Sequence, residues 1–308
     1  MSSPTSPLQR YARRIYAQNE DDGILEGIFQ ELGIDRGYCV DVGAHDGLYL
    51  SNTANLIKHH GWGGLLIECN PTRYAKLVEN MQGVAEVVCS DTPVALSGDN
   101  TLDALLDRAG APARFELLSI DVDGIDYHLW DSLDRHTPLV VIVEYNPSIP
   151  NHVRYVQPRD PGINHGNSLL SLIELGRARG YQPVYVTETN LIVVSDAVVG
   201  RLGITDTTID QLHDDRPLTT SLFQGFDGTL FLDGPKELFW QHVPIDIEKL
   251  QVLPKFLRRF APSLPARLKV VRALWIAWYL ARRREHWPLL KDKVIRGFTN
   301  TPQPPRKF

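Results

Sequence analysis

Apolar positions along the first two-thirds of the chain fall into two alternating periods. Ile24, Leu25, Ile28, Phe29 and Leu32 recur at helical spacing and predict an amphipathic helix that stops at Gly33. The short apolar run at 38–43 (YCVDVG) predicts a buried strand. It is followed by a glycine-rich turn, GAHDG, and by a helix over SNTANLIKHHG that opens on Ser/Asn and closes on Gly. The alternation then repeats: a strand at 64–70, a helix with Pro71 in its first turn, a strand at 85–90, a helix over TLDALLDRAG, a strand and turn at 115–124, a helix over IDYHLWDSL, and a strand at 138–146. The last of these, PLVVIVEYN, has the near-continuous apolar character of a strand covered on both faces. Five strands alternating with helices predict an α/β fold, Rossmann-like, with a mostly parallel, doubly wound sheet.

Beyond the fifth strand the pattern changes. Residues 147–166 hold four prolines and no periodicity, so they read as a loop or lid. SLLSLIELGRARG predicts another helix. YQPVYVTETNLIVVS predicts two antiparallel strands at the sheet edge, joined near Thr187–Asn190. From about 198 onward the signals weaken to a short acidic helix (GITDTTIDQLHDD) and strand fragments broken by glycine (LFQGFDGTLFLDGP). Residues 247–297 read as helical, apolar on one side and basic on the other, with prolines interrupting. The expected organisation is a core over 1–198, including the N-terminal helix, and an extension over 199–308.

Composition adds little to the fold but something to the setting. Cys39, Cys69 and Cys89 have no CxxC or Cys/His ligand spacing and are odd in number, so they read as reduced thiols. The N-terminus lacks an apolar signal core, and no stretch approaches the ~18 apolar residues of a membrane span. A cytoplasmic protein is therefore expected. Charge is unevenly spread. From Lys255 to the end there are fourteen Lys/Arg against two Asp/Glu, a surplus of twelve; the formal net charge is −5, so the preceding residues carry −17. Such asymmetry bears on partners rather than fold.

The chemistry-bearing residues gather at strand ends. Asp41-Val42-Gly43-Ala44-His45-Asp46-Gly47 follows the first strand, where glycines let backbone approach a ligand closely. Glu68 ends the second strand, where a carboxylate can accept both hydroxyls of an adenosine ribose. The turn is not the GxGxxG of a pyrophosphate binder. Asp41 and Asp46 would repel a diphosphate but suit an ammonium and a sulfonium, which favours S-adenosylmethionine over dinucleotides.

Taken together, VDVGAHDG, LLIECNP, LLSIDVDG, GNSLLSLIELGRARGY and the leading QNEDDGIL resemble the FkbM-type family of class I methyltransferases over roughly residues 15–196. That resemblance implies a seven-stranded sheet with a reversed edge hairpin and methyl transfer, usually to an oxygen of a sugar, glycan or secondary metabolite. By position it implies that Asp41, Gly43, Ala44, His45 and Gly47 line the methionine part of the cofactor. Glu68 would hold the ribose, Cys69 and Asn70 would flank the adenosine, and Ser90 and Asp91 would sit beside the adenine. The Gln18–Asp22 segment would fold over the cofactor, with Asp22 toward it; simple helix-dipole complementarity is the other reading of its acids.

Asp121 and Asp123 close the fourth strand, and Glu144 and Asn146 the fifth. Neighbouring strand ends border the ligand crevice of such a sheet, so Asp121, Glu144 and Asn146 are candidate ligands for Mg²⁺, which would lower the pKa of a substrate hydroxyl. The metal-free alternative is that Asp121 contacts the cofactor or helix N–H groups. Candidate general bases are His128, His152 and His165, of which His165 is favoured because it precedes the GNSLL helix where substrate should enter. Methyl transfer needs little beyond alignment, so a dedicated base can be absent. N-methylation and a non-catalytic binding module with this fold are the rival functions. The basic tail, with Trp275, Trp278, Tyr279 and Trp287, has three readings: an interfacial helix on an anionic inner membrane surface, a patch for an anionic glycolipid or nucleotide sugar, or a helical subdomain or homodimer contact. No recognition motif points to nucleic acid.

Overall fold

A computed structural model describes residues 6–84 and 86–282. The first helix, α1 (Asp21–Glu31), buries Ile24, Leu25, Ile28 and Phe29 as its periodicity predicts and ends at Gly33 in the left-handed region. Then follow β1 (Tyr38–Val42), α2 (Ala54–His60), β2 (Gly63–Ile67), α3 (Pro71–Asn80), β3 (Val87–Ser90), α4 (Leu102–Arg108), β4 (Arg114–Ile120), α5 (Asp126–Asp131) and β5 (Thr137–Glu144). Residues 147–166 form no helix or strand. Beyond them come α6 (Leu169–Ala178), β6 (Tyr181–Val186) and β7 (Asn190–Ser195).

These strands make one seven-stranded sheet in the order β3-β2-β1-β4-β5-β7-β6. The first five are parallel, and β7 runs antiparallel between β5 and β6. The architecture is thus the expected Rossmann-like, doubly wound sheet with a reversed edge hairpin. Strand alternation sorts the core onto two faces. Val40, Val42, Leu65, Ile67, Leu118 and Ile120 pack with residues of α4, α5 and α6, such as Leu105, Leu129 and Leu172. Cys39, Leu66, Leu117 and Ile142 pack on the other side with residues of α1, α2 and α3, such as Ile28, Leu56 and Leu77.

Register places the site. Val42 pairs with both Ile67 and Ile120, Ile67 with Ser90, and Ile120 with Val143. The parallel strands therefore end level, and the next residues, Gly43, Glu68, Asp91, Asp121 and Glu144, form one carboxyl rim. The chain reverses its winding between β1 and β4, which is where such sheets open a crevice.

The chain divides into two compact units between Thr219 and Thr220, so residues 199–219 group with the sheet. The acidic helix expected there is a single turn, α7 (Ile209–Leu212). The second unit contains a hairpin of β8 (Ser221–Gln224) and β9 (Leu230–Asp233), a two-residue ladder of β10 (Glu237–Leu238) and β11 (Val243–Pro244), α8 (Ile247–Leu250) and α9 (Ala266–Ala281). The helix expected from 247 is the short α8, and Pro254, Pro262 and Pro265 leave only short 3-10 pieces between it and α9. Trp287 and residues 283–297 lie outside the described residues. Among the described residues no helix is long and apolar enough to cross a membrane.

Candidate active site

The crevice at the winding reversal is a cavity of about 350 Å³. Its rim comes from the tips of β1, β2 and β4 through Gly43, Glu68, Cys69, Asp121 and Asp123, and its apolar wall includes Val94, Val122, Ile125 and Ile163. Arg73 of α3 also lines it.

Gly43 sits at φ +94°, and a Cβ there would lie 1.8 Å from the Asp121 carbonyl oxygen. No other residue fits. The turn is held to β2 twice: the Gly43 and Ala44 N–H groups both donate to the Ile67 carbonyl, and His45 N–H donates to Glu68 Oε2 at 3.0 Å. His45 itself has φ 51°, unusual for a side chain of its size. Glu68 Oε1 accepts from Asn70 N–H at 2.7 Å. Two of the carboxylate's roughly four acceptor directions are thus used by backbone, and the group still lines the cavity. Asn70 caps α3, its Oδ1 accepting from Thr72 and Arg73 N–H.

Asp41 departs from expectation. Alternation turns it toward the α1–α3 face, where it is buried and accepts from Thr53 Oγ1 at 2.8 Å and Ser51 Oγ at 3.4 Å. It does not line the crevice. Burial pushes its carboxyl above the usual range, against the pull of the Thr53, Ser119 and Ser51 hydroxyls. Asp22 is likewise engaged elsewhere: its Oδ2 accepts from the N–H groups of Ile15, Tyr16 and Ala17 at 2.7–2.8 Å, pinning the N-terminal segment to α1. Its neighbours follow suit, Asp21 accepting from Thr187 Oγ1 and Glu20 from the Tyr185 hydroxyl. Ser90 and Asp91 stand on the rim beyond the cavity lining, whose corresponding wall is Pro93 and Val94.

At the β4 and β5 tips, carboxylate oxygens of Asp121, Asp123 and Glu144 lie within 4.8 Å of one another. Asn146 sits two residues past the strand, its Nδ2 donating to the His165 carbonyl and its Oδ1 accepting from Ser148 N–H and Oγ. Burial, then the charges of Asp126, Asp123 and Asp41, push Asp121 up; burial and the Asp121 charge push Glu144 up more strongly. Asp123 is strained at φ 59°.

His165 is exposed and outside the cavity lining. Its Nδ1 lies 2.7 Å from the Tyr155 hydroxyl. His152 is exposed, and His128 Nε2 lies 2.9 Å from the Gln157 carbonyl, tethering the long loop. That loop reaches the crevice through Ile163 and Asn164 instead. It is fastened by three amides that no periodicity or motif singles out. Asn164 donates to the Asp123 carbonyl, Asn167 to the Gly124 carbonyl, and buried Gln157 accepts from His165 and Gly166 N–H. A second cavity of about 450 Å³, lined by Gln9, Glu20, Tyr185 and Asp206, borders the edge strand β6. It lies away from the winding reversal and is lined by none of the rim residues.

No protein-family model matches the chain, and no curated protein does. Solved structures do match. The N-terminal domain of EvdMO1 with SAH bound is 13% identical, with 58% of this chain and 82% of that one covered and a TM-score of 0.38. A putative methyltransferase, yhhF, from Escherichia coli is 14% identical over 55% of this chain and 82% of its own, with a TM-score of 0.35. CalO1, a methyltransferase in calicheamicin biosynthesis in its SAH-bound form, is 14% identical over 56% of each chain, with a TM-score of 0.34. At such values the likeness decides nothing about activity.

Proposed function

We propose that the chain is an S-adenosylmethionine-dependent methyltransferase that methylates a hydroxyl oxygen of a sugar, glycan or secondary metabolite. One observation carries the reading: a crevice at the β1/β4 winding reversal joins a glycine that only close backbone approach explains to a buried carboxylate, Glu68, on the neighbouring strand tip. The donor set fits the cofactor. Glu68 keeps acceptor directions for two ribose hydroxyls, the apolar wall at Val94, Val122 and Ile163 suits a flat base, and Asp121 and Asp123 favour a cationic end. A dinucleotide diphosphate would meet like charge there. When bound, the cofactor supplies an electrophilic methyl group on a sulfonium.

The chain's own residues do the rest. Gly43 keeps the turn open, Glu68 fixes the nucleoside, and the loop ending in Ile163 and Asn164 limits water at the crevice mouth. Asp121, on the crevice rim, accepts the proton of the acceptor hydroxyl. His165 does not serve, being held by Tyr155 outside the cavity. Were a divalent cation part of the site, Asp121, Asp123 and Glu144 would hold it, an all-oxygen set suited to Mg²⁺, and it would lower the pKa of a hydroxyl. The motif resemblance to the FkbM-type group supports oxygen as the acceptor.

The test is transfer of labelled methyl from S-adenosylmethionine to panels of hydroxylated and of amine acceptors, with and without EDTA. Oxygen methylation supports the proposal. Methylation of amines alone overturns the oxygen assignment, and full turnover in excess EDTA removes the cation. Absence of cofactor binding at millimolar concentration would leave a non-catalytic module with this fold.

A further inference from the structure

The surface of the second unit is unusual in two places. Helix α9 buries none of its residues. Val270, Val271, Leu274 and Trp278 fall on one stripe by helical spacing and are 61%, 41%, 64% and 47% exposed. Arg267, one turn before the stripe, and Arg282, one turn after it, bracket its ends, and the Arg282 guanidinium lies 4.7 Å over the Trp278 ring. The second place is the tip of the β8–β9 hairpin, where Phe226 is 95% exposed. Arg272, on the side of α9 turned away from the stripe, reaches the hairpin turn at Gly228.

Charge says what covers them. The described residues of the unit, 220–282, carry nine Lys/Arg against five Asp/Glu, a net +4, and no acid occurs between Gln251 and Arg282. A second copy meeting the stripe symmetrically would set two such surfaces face to face. A nucleic acid would use the cations but leave Val270 and Leu274 without a role. An anionic bilayer uses both, taking aliphatic side chains below the headgroups, Trp at their level and Arg among the phosphates. The one acid at the hairpin tip, Asp227, is turned inward onto Thr229 and sits in the field of Arg258.

We propose that the second unit docks on an anionic membrane surface, seating the α9 stripe at the headgroup boundary without spanning the bilayer. The proposal is independent of the methyltransferase reading.

The full chain should cosediment with phosphatidylcholine vesicles containing phosphatidylserine, bind pure phosphatidylcholine at least about tenfold more weakly, and come off as salt is raised. Leu274→Ser, at an exposed position, should weaken partition about tenfold, and Arg267→Ala about fivefold, with unchanged melting. Brominated acyl chains should quench fluorescence in the wild type and less so in Trp278→Phe. Equal partition into neutral and anionic vesicles would overturn the proposal, as would none into either. So would a dimer that dissociates in Leu274→Ser, or tight binding to RNA that Leu274→Ser leaves intact.

Discussion

Replacing Glu68 by Gln alters one charge and almost no volume, and the structure sets the size of both expected effects. The wild-type carboxylate is 5% exposed and accepts from Asn70 N–H at 2.7 Å and His45 N–H at 3.0 Å. An amide can satisfy only one of these and must point its NH₂ at the other. A buried donor left unsatisfied costs about 1–3 kcal/mol, which lowers the Tm of a unit this size by roughly 2–4 °C per kcal/mol. The second effect falls on the ligand. Two ribose hydroxyls that bonded to an anion would share one neutral oxygen, a loss of about 1.5–3 kcal/mol, or roughly tenfold to 150-fold in Kd. Calorimetric titration with S-adenosylhomocysteine reads the binding term, and a thermal melt without ligand reads the structural one. Binding within about twofold of wild type, with the Tm unchanged, would refute both the ribose assignment and the role of Glu68 in holding the glycine turn.

Three further outcomes follow from the geometry. Gly43→Ala places a Cβ 1.8 Å from the Asp121 carbonyl at a φ of +94°, so the turn must move; a measurable loss of Tm and loss of S-adenosylhomocysteine binding are expected, and wild-type affinity by calorimetry would contradict the close approach. Cys69 is exposed on the crevice wall, Cys89 is half-buried and Cys39 is buried, so alkylation should show one fast thiol that S-adenosylhomocysteine protects and Cys69→Ser abolishes; a fast phase indifferent to ligand would count against the site. Burial raises Asp21 to about 6 from 3.8, against the pull of Thr187 and Asn190. Its folded pKa lies above its unfolded one, so its stabilisation is complete below about pH 4 and is lost as pH rises through 6, up to about 3 kcal/mol. Asp126, also raised to about 6, adds a parallel slope. Chemical denaturation across that range should therefore show a shallower decline in Asp21→Asn, and an identical slope would contradict the assignment.

The fold was legible because apolar alternation reports burial directly. Each parallel strand was expected within a few residues of its place, since buried β-branched runs between glycine turns have few other solutions. Glu68 and Gly43 were legible for a related reason: a strand end followed by a helix start fixes a position on the rim. Side-chain direction was harder. Asp41 was expected beside the cofactor, but strand alternation turns it to the opposite face, where Ser51 and Thr53 take it. The hydrogen-bond partners of Asp22 and Asn146 lie in irregular segments, which carry no periodic signal. The same blindness hid Gln157, Asn164 and Asn167, whose amides fasten the long loop. The helix expected from 247 shows the limit of pattern without stiffness, because closely spaced prolines interrupt a stripe that apolar spacing alone would continue.

A structure of the chain bound to S-adenosylhomocysteine tests the central claim most directly. The nucleoside should occupy the crevice between the β1, β2 and β4 tips, with both ribose hydroxyls on the Glu68 carboxylate and the sulfur facing Asp121. A nucleoside found instead in the cavity beside Tyr185 and Asp206, or none at saturating ligand, would contradict it.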